Sequence, residues 1–112
     1  MFSPPQLTNE ASLEALIAES HVTPVLIFKH STRCSISSMA LNRLQNSNPP
    51  LQFQLIDVIV NRPVSNKVAE LFSVYHESPQ ILIIHKGECV YDASHLEIQP
   101  REILQELQTR NS

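Results

Sequence analysis

The chain has 112 residues, of which 42% are hydrophobic and 17% are charged, and its formal net charge is −3. This length supports one hydrophobic core, so we expect a single domain over residues 1–112. The weak negative charge excludes a basic field for nucleic acid or an anionic membrane, and the single glycine, Gly87, excludes glycine-rich phosphate-binding loops.

The first half of the chain alternates helical and extended patterns. Leu13, Leu16 and Ile17 are spaced as on one face of a helix, and a second helical pattern begins at Ser35. The Asn48-Pro49-Pro50 segment is expected to stop that second helix. The predicted elements are a helix over Asn9–Ser20, a strand over Pro24–Lys29, a helix over Ser35–Asn46 and a strand over Leu51–Val58.

Proline and glycine mark the elements of the second half. Pro63 suits the first turn of a helix, because amide hydrogens in that turn have no partner within the helix and proline has none to offer. Lys86-Gly87 between two apolar runs predicts a β-hairpin. The predicted elements are a helix from Pro63 to about Ser73, strands over Gln80–His85 and Glu88–Asp92, and a last helix that begins at Pro100.

The order of these elements predicts the fold. A β-α-β crossover followed by a helix and an antiparallel hairpin gives a mixed sheet with helices on both faces. We therefore expect an α/β fold of the thioredoxin-like kind, with a four-stranded mixed sheet flanked by about four helices.

Nothing in the sequence indicates membrane insertion or export. No apolar run reaches the roughly 18 residues of a membrane span, and residues 1–10 lack the basic start and apolar stretch of a secretory signal. We expect a cytoplasmic monomer that contacts neither membrane nor nucleic acid. Its two cysteines, Cys34 and Cys89, are expected to be reduced thiols in that compartment.

Cys34 lies between the first strand and the second helix, where a thioredoxin-like fold places its attacking thiol. Ser37 stands where a dithiol motif carries its second cysteine, so the predicted redox site has one cysteine. At the helix N-cap, the sulfur would face the amides of Ile36 and Ser37 and the positive end of the helix dipole. Helix N-termini and cationic neighbours lower cysteine pKa values to roughly 3.5–7.5. With Arg33 and His30 nearby, and with the Ser37 hydroxyl stabilising the thiolate, we expect Cys34 to be substantially ionised at pH 7.

Four segments carry a family resemblance: KHSTRCSIS (29–37), NRPVSN (61–66), HESPQ (76–80) and ASH (93–95). Together they resemble the YtxJ-type monothiol bacilliredoxins over almost the whole chain. The resemblance implies that Cys34 removes bacillithiol from S-thiolated client proteins through a mixed disulfide, without an organic cofactor or a metal. It also implies a cis peptide at Ser78-Pro79, where the substrate disulfide is presented.

The chain departs from this family at the centre of the motif. The usual pattern is Thr-Cys-Pro-Ile-Ser, and here it is Arg33-Cys34-Ser35-Ile36-Ser37. Replacing proline with Ser35 adds an amide donor and a hydroxyl beside the sulfur, which is expected to lower the pKa of Cys34 further. The residues expected to bind the substrate are Arg33, Ser35, Ile36, Ser78, Pro79, Arg62 and His30. A related small thiol can stand in for bacillithiol.

Other polar residues have two interpretations each. His30 either tunes the thiol or is solvated at a strand end, and Arg62 either holds an anionic part of the small thiol or is solvated. His76 and His95 either line the site or are structural. Asp57 either transfers protons or faces water. The histidines show no metal-ligand spacing, so no metal site is expected.

Cys89 is not expected to resolve the mixed disulfide. The third strand spans about seven residues at roughly 3.3 Å each, so the hairpin turn is on the order of 20 Å from the site. A disulfide needs Cα atoms within about 7 Å. Cys89 is therefore interpreted as a small apolar strand residue.

Two other functions remain as alternatives. One is a monothiol module that carries an iron–sulfur cluster between two chains, although this chain lacks the glycine pair that such modules have after the second hairpin strand. The other is a thioredoxin-fold binding domain without exchange activity, which an unperturbed thiol would favour.

Overall fold

The structure is a computed structural model that describes residues 5–47 and 52–111. The predicted order of elements is confirmed, whereas the predicted strand start at Leu51 and helix stop at 48–50 lie outside the described residues. The elements are α1 (Glu10–Glu19), β1 (Val25–His30), α2 (Ser35–Asn46), β2 (Gln52–Asp57), α3 (Arg62–Phe72), β3 (Gln80–His85), β4 (Glu88–Ser94), a short 3-10 turn (His95–Glu97) and α4 (Pro100–Asn111).

The four strands form one mixed sheet in the order β2-β1-β3-β4. β1 pairs in parallel with β2 and antiparallel with β3, and β3 pairs antiparallel with β4. Lys29 lies opposite Gln80, and His30 lies opposite Asp57. The start of β3 and the end of β2 therefore meet the C-terminal end of β1, from which the chain continues to Cys34.

Alternate residues of β1 supply two apolar layers on opposite faces of the sheet. Leu26 and Phe28 pack with residues of α2 and α4, whereas Val25 and Ile27 pack with residues of α1 and α3. The period of two assigns Lys29 to the α1/α3 face and His30 to the α2/α4 face. Because β1 has a neighbour on each side and a helical layer on each face, all six of its residues are buried.

Local hydrogen bonds explain where several elements begin and turn. Asn9 is the N-cap of α1 and forms a capping box with Ser12, whose amide donates to Asn9 Oδ1 at 2.8 Å. The predicted Lys86-Gly87 turn is confirmed, and both residues have positive φ angles, 56° and 78°. This left-handed geometry is the reason for a glycine at the second position. The Gly87 amide donates to Ser20 Oγ at 3.0 Å, which ties the turn to α1.

Both outer edges of the sheet carry features that the sequence patterns did not predict. The Leu7 amide donates to the Leu55 carbonyl at 2.9 Å, and the Leu55 amide donates to the Pro5 carbonyl at 2.9 Å. The N-terminal segment therefore runs beside β2. On the opposite edge, β4 has a bulge where its partners on β3 are Ile83 and Ile84. None of the described helices has the length and apolarity to cross a membrane.

Candidate functional site

Cys34 occupies the N-cap of α2, as predicted, with extended backbone angles of φ −116° and ψ 117°. Its carbonyl accepts from the Ser38 amide at 3.1 Å, and its amide donates to the Ser31 carbonyl at 3.2 Å. The thiol is half-buried and free. Its sulfur makes no capping hydrogen bond, so the predicted contact with the amides of Ile36 and Ser37 is not formed in this state. The sulfur of cysteine is a weaker hydrogen-bond acceptor than the side-chain oxygens that usually cap helices.

The Ser37 hydroxyl is buried, and it forms hydrogen bonds with residues other than Cys34. Ser37 is fully buried, and its Oγ lies 2.6 Å from His30 Nδ1 and accepts from the Ser31 amide at 3.0 Å. The hydrogen-bond partners of this hydroxyl are thus His30 and Ser31, and not the sulfur of Cys34 as expected. Ser37 instead fastens the first turn of α2 to the end of β1.

His30 is buried beneath the Cys34 loop. It is only 8% exposed, so the interpretation of His30 as a solvated strand-end residue is wrong. Burial lowers its pKa, and the carboxylate of Asp57 on the neighbouring strand partly opposes this effect. Asp57 Oδ1 accepts from the amides of Ile59 and Val60 at 3.0 and 3.1 Å, so Asp57 orders the turn that follows β2.

The Ser78-Pro79 peptide is cis, as expected. Pro79 is buried at the start of β3, and its carbonyl accepts from the His95 amide at 2.9 Å. The Ser78 hydroxyl is buried and has no hydrogen-bond partner within residues 5–47 and 52–111. Because β3 starts beside the end of β1, this segment and the Cys34 loop lie at the same end of the sheet.

The residues that flank Cys34 form an exposed surface. Arg33 and Ser35 are exposed, and Ile36 is 40% exposed although it is a large apolar residue. These three neighbours of Cys34 in sequence are therefore open to solvent, in contrast to Ser37 and His30, which are buried.

On the other face, a polar cluster joins buried Lys29, which the sequence patterns missed, to half-buried His76 and exposed Arg62. Lys29 is completely buried, and its Nζ donates to the Ser65 carbonyl at 3.0 Å and lies 3.3 Å from His76 Nδ1. Arg62 NH1 lies 2.9 Å from His76 Nε2, so Arg62 is paired and not simply solvated. Burial, followed by the charge of Arg62, lowers the pKa of Lys29 to about 8.

Lys29 could have been found from the strand pattern. It follows the apolar run of residues 24–28 in a strand predicted to lie inside a β-α-β unit, and such strands are buried on both faces. A lysine there needs internal acceptors, and the nearest candidates by sequence are the polar residues of α3.

The remaining predicted residues have partners of their own. His95 Nε2 pairs with Glu77 Oε2 at 3.2 Å, with both side chains about half exposed. Cys89 pairs with Ile84 near the hairpin turn, and its thiol donates to the Tyr91 carbonyl at 3.4 Å. Burial raises the pKa of Cys89 to about 11. Within the described part of the chain, no group of three metal-ligating side chains comes together.

Comparison with known proteins agrees with this geometry. A family model described as monothiol bacilliredoxin BrxC matches residues 5–103. A solved structure of a candidate oxidoreductase with a thioredoxin fold superposes with a TM-score of 0.83 at 27% identity, covering 91% of each chain.

More distant structures share the fold alone. Fasciola hepatica thioredoxin gives a TM-score of 0.74 at 21% identity, covering 96% of this chain and 99% of that chain. A mutant thioredoxin of Halobacterium salinarum gives 0.77 at 14% identity, covering 98% and 92%. The sheet and its helices therefore have the thioredoxin-like arrangement expected from the order of elements.

Proposed function

This chain belongs to the monothiol bacilliredoxin BrxC family, and on that basis we propose that it removes bacillithiol, or a related low-molecular-weight thiol, from S-thiolated client proteins. The protein is a thioredoxin-fold oxidoreductase. The observation that carries the proposal is a half-buried free thiol at the N-cap of α2, with Ser37 where a resolving cysteine would stand.

The proposed exchange passes a disulfide along without net oxidation. The Cys34 thiolate attacks the sulfur of the small thiol in the client mixed disulfide, and a new disulfide forms between Cys34 and that thiol. The client cysteine leaves as a thiolate and takes up a proton from solvent. Ser37 cannot form a disulfide, so a second low-molecular-weight thiol attacks the small thiol's sulfur in the adduct. The two small thiols leave as a disulfide, and Cys34 is regenerated as a thiolate.

Residues on the two sides of the thiol are assigned different roles in this proposal. Arg33, Ser35 and Ile36 contact the substrate on the exposed surface around Cys34. Ser78 and Pro79 present the disulfide beside it. The position of both groups supports these roles, since both lie at the end of the sheet where Cys34 lies.

The residues beneath this surface have supporting roles. His30 and Ser37 hold the first turn of α2 in place below Cys34, and Arg62 faces an anionic part of the small thiol. The partners are S-thiolated clients and a low-molecular-weight thiol in the cytoplasm, and the protein acts as a single-domain monomer.

A client protein carrying a bacillithiol mixed disulfide tests this proposal. Wild-type protein and Cys89→Ala are expected to release the client thiol and to carry one bacillithiol adduct on Cys34 by mass spectrometry. Cys34→Ala is expected to do neither. Client release by Cys34→Ala, or its loss in Cys89→Ala, would assign the chemistry elsewhere and refute the proposal.

A further inference from the structure

His76 lies between two cationic side chains on the α3 side of the sheet. Arg62 NH1 is 2.9 Å from its Nε2. Lys29 Nζ and Ser65 Oγ are 3.3 and 3.1 Å from its Nδ1. One imidazole thus faces a guanidinium on one side and an amine and a hydroxyl on the other.

This cluster has more hydrogen-bond donors than acceptors. A guanidinium and an ammonium only donate, and a neutral imidazole has one donor nitrogen and one acceptor nitrogen. If Nε2 accepts from Arg62, the ring proton is on Nδ1 and points toward Lys29. If Nδ1 accepts from Lys29, the ring proton is on Nε2 and points toward Arg62. His76 therefore satisfies one of the two cations at a time.

Lys29 Nζ already has the Ser65 carbonyl as an acceptor, but among the described residues no carboxylate forms an ion pair with Lys29 or Arg62. Glu77 acts on His76 electrostatically, but its carboxylate is paired with His95. Lys29 is 0% exposed, so bulk water does not reach its amine. Burial, together with the charges of Lys29 and Arg62, lowers the pKa of His76, in agreement with a shortage of negative charge.

The cluster also lies at the Cys34 end of the sheet. Lys29 precedes the last residue of β1, and the chain reaches Cys34 five residues later. Arg62 begins α3 just after β2, whose C-terminal end lies beside that of its parallel neighbour β1. His76 stands three residues before Pro79.

We propose that Arg62 and His76 bind a carboxylate of the low-molecular-weight thiol, and that this binding moves the ring proton of His76 from Nδ1 to Nε2. The inference rests on the exchange function proposed above. The carboxylate accepts from Arg62 and from Nε2–H, and the single lone pair of Nδ1 is then free to accept from Lys29 Nζ, 3.3 Å away. Lys29 is a positioning residue, since it acts on the ligand through His76.

Two small disulfides of similar size test the carboxylate site. Bis(2-hydroxyethyl) disulfide is uncharged, and 3,3′-dithiodipropionate carries two carboxylates. The rate constant for adduct formation on Cys34 is measured with each by mass spectrometry, in protein carrying Cys89→Ala. We expect a preference for the dicarboxylate, and Arg62→Gln is expected to reduce that preference about tenfold, because hydrogen bonds to charged groups are the strong ones.

Arg43→Gln is the matched control, since it removes the same charge from the last turn of α2. Arg43 stands nine residues beyond Cys34, about 13 Å along the helix axis, so the preference should remain that of wild type. Equal preference in wild type and Arg62→Gln, with Cys34 reactive toward both disulfides, would overturn the carboxylate site alone. No adduct from either disulfide would instead overturn the exchange function.

The proton position on His76 gives an independent readout. Long-range proton–nitrogen NMR spectra of the Cys34→Ala protein are recorded with and without 3,3′-dithiodipropionate. We expect Nδ1–H in the free protein and Nε2–H in the complex. In Lys29→Met we expect the shift between tautomers to be reduced, because Nδ1 loses its cationic donor. The same tautomer in free and saturated protein would contradict the proposal.

Discussion

Replacing Lys29 with methionine is expected to remove a pH-dependent part of the stability between pH 8 and 10. In the folded protein, burial and then Arg62 lower the pKa of Lys29 from 10.5 to about 8. Between these values the unfolded chain holds a proton that the folded protein has lost. Titration of Lys29 therefore makes the free energy of unfolding rise with pH, by at most about 1.4 kcal/mol per pH unit. This added stability is lost as the pH falls toward 8.

From pH 8.5 to 10, Lys29 should contribute roughly 2 kcal/mol of added stability to wild type, and Lys29→Met should lack this increase. Urea unfolding followed by circular dichroism at half-unit pH steps measures the difference. Other groups that titrate in this range, such as Cys89, are the same in both proteins and cancel. Lys67→Met on α3 is the matched control and should keep the wild-type slope. Parallel curves for wild type and Lys29→Met would refute the reasoning.

Three further predictions concern the supports of the site and the distant hairpin. Ser37→Ala should lower the free energy of unfolding by about 2–3 kcal/mol, because it leaves His30 Nδ1 without its partner, whereas exposed Ser38→Ala should change it by less than about 0.5 kcal/mol; equal urea midpoints would contradict this. Burial lowers the pKa of His30 from 6.5, so stability should fall as pH drops below about 6.5, and His30→Gln should flatten that acid slope in the same assay; an unchanged slope would exclude His30 as its source. Gly87→Ala should lower the free energy of unfolding by about 1–2 kcal/mol, since φ is +78° and the new Cβ would lie 3.2 Å from His21 Nε2. Adduct formation on Cys34 should stay at the wild-type rate. A thermal midpoint equal to that of wild type would contradict the predicted strain.

The elements were predictable because their signals are local. The spacing of Leu13, Leu16 and Ile17 marked α1, Pro63 fell in the first turn of α3, and Gly87 marked the hairpin turn. β4 is longer than predicted and continues to Ser94, because its pairing with Gln80 extends the ladder toward the cis proline. That pairing depends on a strand distant in sequence.

The position of Cys34 was predictable, but its polar surroundings were only partly so. Burial of His30 and Lys29 depends on neighbours that β1 acquires on both sides, and neither neighbour is adjacent in sequence. The contact of Ser37 with His30 joins α2 to β1. The motif around Cys34 is local, so it predicted a contact between the Ser37 hydroxyl and Cys34 instead. The role of Cys89 as a strand residue followed from strand length alone, and the structure agrees.

The N-terminal segment beside β2 covers one outer edge of the sheet. A bare edge strand offers unpaired amides and carbonyls to any extended chain, including an identical one. Here Pro5 and Leu7 bond to Leu55 at one edge, and the bulge in β4 interrupts regular pairing at the other. Both outer edges of the sheet are thereby made less open to pairing with a further extended chain.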